Sequence, residues 1–241
     1  MSGAAPTRVL FHFSLSIPNC SLTFMGYSVE VRTVCVGAAE YRIRMLSDRQ
    51  QYHDPEGHAE RAGISSATWP LFGVIWPVGI ALADELTRID IAGRRILEVG
   101  CGLALASLVL KRRDADITAS DHHPLAREFL EHNAQLNGLP PIPYVDAPWE
   151  RPAPGLGQFD LIVGSDLLYE PNHAQLLAGF LAHHAKPTSE LLIADPGRGY
   201  RGQFAKRMTA LGFDRSELPC RTGGPEIERK GRILRFVRVA S

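Results

Sequence analysis

Ile96-Leu97-Glu98-Val99-Gly100-Cys101-Gly102-Leu103-Ala104 is the stretch on which the reading of this chain turns. An apolar strand runs into an acidic residue and a Gly-x-Gly turn. Leu105, Leu108 and Val109 then continue on one face of a helix. Such a strand-turn-helix makes a nucleotide-sized binding loop, because glycine lets the backbone come close to a ligand. A dinucleotide fingerprint would need glycine at position 105, where this chain has Leu105. The acid two residues before Gly100 suits a ligand with a positively charged amine. The loop amides and the helix start suit that ligand's carboxylate.

Strands and helices alternate outward from this loop. Arg95–Val99 is a first strand, Asp116–Ser120 a second closed by Asp121, Ile142–Val145 a third, Phe159–Gly164 a fourth and Glu190–Ala194 a fifth. Between them, one helix ends near Lys111-Arg112-Arg113, read as a solvated basic end. A second starts near Pro124, buries Leu125, Phe129, Leu130 and Leu136, and stops at Asn137-Gly138. A third follows Asn172 as N-cap, with Leu176, Leu177, Phe180 and Leu181 inward. Phe204, Met208 and Leu211 mark another helix. Phe213–Leu218 and Ile233–Val239 have no helical pattern between them and read as a closing antiparallel hairpin, with Glu228–Arg232 at its solvated tip. Alternation of this kind predicts an α/β fold, a mostly parallel seven-stranded sheet with helices on both faces.

The loop resembles motif I of class I S-adenosylmethionine-dependent methyltransferases, which implies S-adenosylmethionine as cofactor and its demethylated product S-adenosylhomocysteine. In an open α/β sheet ligands bind outside the carboxyl ends of the strands. Glu98, Gly100 and Gly102 sit at the first of these ends. Asp121, at the second, is spaced from the loop like the acid that accepts ribose hydroxyls in nucleotide-binding folds; its other reading is a cap for the next helix. Asp146 with Trp149 ends the third, where an acid can accept from an adenine amino group and an indole can cover the ring; Asp146 is equally read as a turn residue. The fourth ends in Ser165 and Asp166, beside the expected position of the reacting methyl. Asp195-Pro196-Gly197-Arg198 ends the fifth, with no role assigned to Asp195 or Arg198.

Trp76-Pro77-x-Gly79, Glu98-x-Gly100-x-Gly102 and Asp166-Leu-Leu-Tyr169 together resemble the seven-β-strand protein lysine methyltransferases, methyltransferase family 16, over about residues 65–200. That resemblance implies the seven-stranded Rossmann-like sheet. It also implies transfer of a methyl group to a lysine ε-amine of a protein, with Asp166 and Tyr169 at the acceptor. Trp76 then contacts cofactor or lysine through its ring face, or is a core residue among Phe72, Val74 and Ile75. The chain departs from the family at Ala104, where a third glycine is common, and in Ala147-Pro148 before Trp149. It is also similar to nicotinamide N-methyltransferase-like proteins, so a small amine acceptor is the alternative. A non-catalytic S-adenosylmethionine-binding module is a third reading.

The chain divides into an extension, residues 1–64, and a methyltransferase domain, residues 65–241. Tyr27–Ala38 and Glu40–Met45 predict a hairpin in the extension, and Ser47–Gly57 a polar loop. Pro77 opens a helix bearing Ile80, Leu82, Ala83, Leu86 and Ile89. Of the 241 residues 45% are hydrophobic, and 26 basic residues balance 26 acidic ones, so no net field draws the chain to nucleic acid or an anionic membrane. Cys20, Cys35, Cys101 and Cys220 form no C-x-x-C pair, which predicts neither disulfide nor zinc framework and a cytoplasmic location. Val9–Ile17 is apolar after Arg8, but a histidine and serines interrupt it, against a signal peptide. His122-His123 and His183-His184 lack a third ligand, and no metal is expected.

Overall fold

The computed structural model describes residues 22–24, 26–151, 153 and 155–240; Val9–Ile17 and Cys20 lie outside the described residues. The chain runs β1 (Leu22–Phe24), β2 (Tyr27–Val36), β3 (Ala39–Leu46), α1 (His58–Arg61), a 3-10 turn (Trp69–Gly73), α2 (Pro77–Glu85), β4 (Arg95–Val99) and α3 (Leu105–Arg112). It continues with β5 (Asp116–Asp121), α4 (Ala126–Leu136), β6 (Tyr144–Asp146), β7 (Phe159–Ser165), α5 (His173–His184) and β8 (Ala185–Asp195). It ends with α6 (Arg201–Ala210), β9 (Asp214–Pro219), α7 (Pro225–Lys230) and β10 (Arg232–Arg238).

Seven strands form one sheet in the order β6-β5-β4-β7-β8-β10-β9, and β10 runs antiparallel to both neighbours. Successive strand residues face opposite sides, which explains the unbroken apolar runs. Ile96, Leu161, Val163 and Leu192 pack with α2, α3, α4 and the β2–β3 hairpin. Leu97, Val99, Ile162 and Leu191 pack with α5 and α6. Both faces are therefore covered, as parallel sheets require. Each fully buried Leu or Phe in these stripes contributes about 1.5–3 kcal/mol over an exposed one.

The structure corrects several expected boundaries. β6 is only Tyr144–Asp146, because Pro141 and Pro143 have no N–H to give the ladder. β8 begins at Ala185, five positions before Glu190, with a register irregularity opposite Phe159 and Leu161. α2 stops at Glu85 and does not reach Ile89. The Arg113 guanidinium donates to the carbonyls of Leu86 and Ile89 at 2.5 and 2.9 Å, and so secures the irregular chain after α2. Leu211 caps α6 and is 42% exposed rather than inward. Asn172 stands at the N-cap of α5 without a side-chain cap bond.

The closing hairpin also contains a helix that went unpredicted. In α7 only Ile227 is buried, so no apolar period marks it. Pro225 at the first turn, Glu226 and Glu228 early and Arg229 and Lys230 late match the helix dipole instead.

The hairpin before residue 64 forms β2 and β3 and gains β1. It shares one apolar cluster with α2 to α4 through Tyr27, Ile43 and Leu46. Asn133 on α4 and its C-cap Asn137 each bond both backbone groups of a β3 residue, Arg44 and Arg42 respectively, at 2.7–3.3 Å. Arg112 lies 4.1 Å from the Tyr41 ring centroid. Arg112 and Arg113 thus hold the β2–β3 hairpin and the chain after α2, so this basic end is not only solvated. No helix of the described residues is long and apolar enough to cross a membrane.

Candidate active site

A cleft of about 600 Å³ opens at the carboxyl ends of β4, β5 and β7. It brings together Trp76, Glu98, Gly100, Gly102, Asp121 and Trp149 with Ser165, Asp166 and Tyr169. Asp146 is not among the lining residues. It is exposed at the end of β6, where Ala147 N–H continues the pairing with β5 by donating to the Asp121 carbonyl at 3.1 Å, and the chain turns at Trp149 and Glu150. Trp149, three residues on, does reach the cleft, packing edge-on against His173 with ring centroids 5.3 Å apart.

The glycine turn is set by the protein as much as by any ligand. Gly100 and Gly102 have φ of 58° and 50°, in the left-handed region. A Cβ on Gly102 would lie 2.7 Å from the Phe72 carbonyl oxygen of the 3-10 turn. Ala104 adopts the same region, φ 62°. The amides of Cys101, Gly102 and Ala104 are already bonded to the Ser120 carbonyl, Asp121 Oδ2 and the Cys101 carbonyl. This changes the expectation that they receive a ligand carboxylate.

Asp121 accepts from Gly102 N–H at 2.8 Å and from His123 N–H at 2.9 Å, so it ties the ends of β4 and β5 together. It does not cap α4, whose N-cap is Leu125. Glu98 is buried and accepts from Ser107 N–H at 2.8 Å and from the Ser107 hydroxyl, locking the first turn of α3. Burial pushes the Glu98 carboxyl from 4.5 up to about 7, against the lowering pull of Ser107 and with the Asp121 charge adding to the rise.

The folded protein therefore keeps a proton on Glu98 that the unfolded chain releases. This contribution to stability is complete below pH 4.5 and is lost as pH rises through about 7, a change of about 3 kcal/mol. Glu98→Gln is expected to melt above the wild type at about pH 8 and to lose that advantage below about pH 5. A melting difference independent of pH would refute the buried-proton account.

His123 was considered in the sequence only as half of a metal pair. Its ring stacks on Phe72 at 3.7 Å and lines the cleft. Burial lowers it to about 4, and Nδ1 accepts from Leu125 N–H, so the neutral ring carries its proton on Nε2. Nε2 has no hydrogen-bond partner among the described residues. Its position two residues after Asp121, at the end of the second strand, is the signal the sequence offers. No group of three His, Cys, Asp or Glu among the described residues is placed to hold a metal.

At the end of β7, Asp166 is buried with φ 58°, and its N–H donates to the Ala194 carbonyl at 2.9 Å. Tyr169 is half-buried, with its ring against His173. Burial, with Asp121, Glu170 and Asp166 adding, pushes its phenol to about 12 and keeps it a donor. Trp76 donates its indole N–H to the Leu71 carbonyl at 3.1 Å, leaving its ring in the cleft wall. Arg198, without a role in the sequence, enters the cleft and bonds Asp166.

A family model described as lysine methyltransferase matches residues 66–209. The chain belongs to the lysine methyltransferase family. It is 30% identical over 163 residues to the electron transfer flavoprotein beta subunit lysine methyltransferase of Mus musculus, covering 66% of this chain and 61% of that one. It is 26% identical over 149 residues to EEF1A lysine methyltransferase 3 of Mus musculus, covering 58% and 62%. The chain thus spans about three fifths of the length of these relatives. The magnesium protoporphyrin IX methyltransferase of Synechocystis PCC 6803, solved with bound S-adenosylmethionine, superposes with a TM-score of 0.51 at 19% identity. That superposition covers 67% of this chain and 76% of the other and shows the common fold, the class I methyltransferase sheet. In this family member the Asp166-Leu-Leu-Tyr169 stretch and the Gly-x-Gly turn share one cleft.

Proposed function

We propose that this chain transfers a methyl group from S-adenosylmethionine to a lysine ε-amine of a protein substrate. One observation carries the reading: buried Asp166 and half-buried Tyr169 open onto the same cleft as Glu98, Gly102 and Asp121 in a lysine methyltransferase family chain. The cofactor fits the lining. Asp121 offers carboxylate oxygens to ribose hydroxyls, the Glu98 carboxyl faces a cationic amine, and Trp76 and Trp149 supply flat apolar walls near Gly100 and Ser165. Bound S-adenosylmethionine supplies an electrophilic methyl: the amine lone pair forms the N–C bond, the S–C pair stays on sulfur, and the product ammonium sheds a proton to water.

The protein contributes alignment and exclusion of water, which account for several powers of ten in such displacements. A lysine ammonium has a pKa of about 10.4 and is unreactive until deprotonated. Asp166 holds the acceptor nitrogen and Tyr169 orients it through its hydroxyl. Incubation of the protein with methyl-labelled S-adenosylmethionine and a cell lysate tests this. Label in a protein band, mapped to lysine by mass spectrometry, is expected. Label confined to the low-mass fraction would assign a small amine acceptor, and no label while the cofactor still binds would leave a non-catalytic S-adenosylmethionine-binding module.

A further inference from the structure

The acceptor carboxylate already has a cation. Arg198 Nε donates to Asp166 Oδ1 at 2.5 Å, and the guanidinium carbon sits 6.0 Å from the Tyr169 ring centroid. The Asp166 side chain is only 6% exposed, whereas that of Arg198 is 35% exposed at the cleft. The arginine is held there by its backbone: buried Asp195 accepts from Gly197 N–H at 2.8 Å and Arg198 N–H at 2.9 Å. A carboxylate, an aromatic ring and a guanidinium therefore occupy the place where the acceptor nitrogen is to arrive.

We propose that Arg198 neutralises Asp166 so that the site takes up the acceptor lysine as its free amine and not as the ammonium. The proposal rests on the reading of Asp166 and Tyr169 as the acceptor site. An unpaired buried carboxylate would stabilise the ammonium, because an opposite charge within about 4–6 Å raises a cation's pKa by about 1–3. The complex would be tight and inert, its lone pair bound to a proton. Arg198 opposes that effect, and the displaced proton leaves to water at the cleft mouth.

Guanidinium suits the task since it remains charged at any working pH, and the Asp166 bond holds its proton more firmly still. The other charged and titratable groups facing this pair leave the arrangement in place. Glu170 lies 3.3 Å from His173 Nε2 in the segment after β7. Asp195 and Arg201 flank the pair from the β8 side. Glu98, Cys101, Asp121, His122, His123 and Glu150 are the titratable groups lining the remainder of the cleft, and α2 faces it through Gly79, with no ionisable group.

The test is titration of n-butylammonium, a lysine side-chain mimic, into the protein holding S-adenosylhomocysteine, at neutral pH. Arg198→Gln is expected to bind the cation about tenfold more tightly than the wild type. Arg198→Lys should fall between them, and adding Asp166→Asn to Arg198→Gln should abolish the gain. Unchanged or weaker binding to Arg198→Gln overturns the proposal while leaving the acceptor reading intact. A gain that survives Asp166→Asn places the cation elsewhere and overturns both. In the lysate transfer assay, Arg198→Gln should move the alkaline rise of the rate up by about one pH unit, with recovery at high pH. A loss equal at every pH would make Arg198 a structural residue only and overturn the proposal.

Discussion

Asp166→Asn is expected to lower turnover by about 10²-fold or more while cofactor binding persists. Asparagine keeps the shape of the side chain and tolerates the left-handed backbone at φ 58°, so the fold is retained. What is lost is the charge that aligns the acceptor nitrogen and holds Arg198, whose Nε bonds Asp166 Oδ1. Neither of the Asp121 contacts to Gly102 and His123 involves Asp166, so the cofactor end of the cleft is unaffected. Initial rates with labelled cofactor, beside calorimetric affinity for S-adenosylhomocysteine, give the two readouts. Undiminished turnover would remove Asp166 from the acceptor site. Loss of both binding and turnover would make it a residue of the scaffold.

Gly102→Val carries the largest expected effect on the fold. Its φ of 50° excludes a β-branched side chain, and the new Cβ would lie 2.7 Å from the backbone oxygen of Phe72. Backbone cannot move aside as a flexible side chain does. The strain and the overlap together are expected to cost about 2–4 kcal/mol of stability. The Gly102 N–H bond to Asp121 would be disturbed with it, so cofactor binding should be lost even in the folded fraction. Denaturant unfolding and calorimetry report the two effects separately. A wild-type midpoint with wild-type affinity would show that the turn tolerates a side chain.

Much of this arrangement is legible in the sequence. β4, β5, β7 and β8 are runs buried on both faces, and long apolar runs of that kind carry their own signal. Strand ends mark the ligand-binding edge of any such sheet, so Glu98, Asp121 and Asp166 could be assigned to one cleft from their positions alone. Short or singly anchored elements were not legible in this way. α7 buries only Ile227, and β6 is cut to three residues by prolines that lack an N–H. Asp146 stands at the expected strand end yet is exposed and outside the cleft lining, because the chain turns only at Trp149 and Glu150, and these two residues reach the cleft.

The residues of the Gly-x-Gly turn and the spacing of the acids determined the fold class, the binding edge and the chemical character of the cofactor. They suffice because backbone geometry follows local residue type: only certain residues make an apolar strand, a left-handed turn and an amphipathic helix in that order. Which donors and charges are free for a ligand was decided by tertiary structure alone. Three loop amides are spent on Ser120, Asp121 and Cys101, Glu98 is drawn onto Ser107 with its carboxyl pushed to about 7, and Arg198 is delivered to Asp166 from a distant loop. Such pairings depend on distances across the sheet and on the exclusion of water, and neither is written in residue spacing.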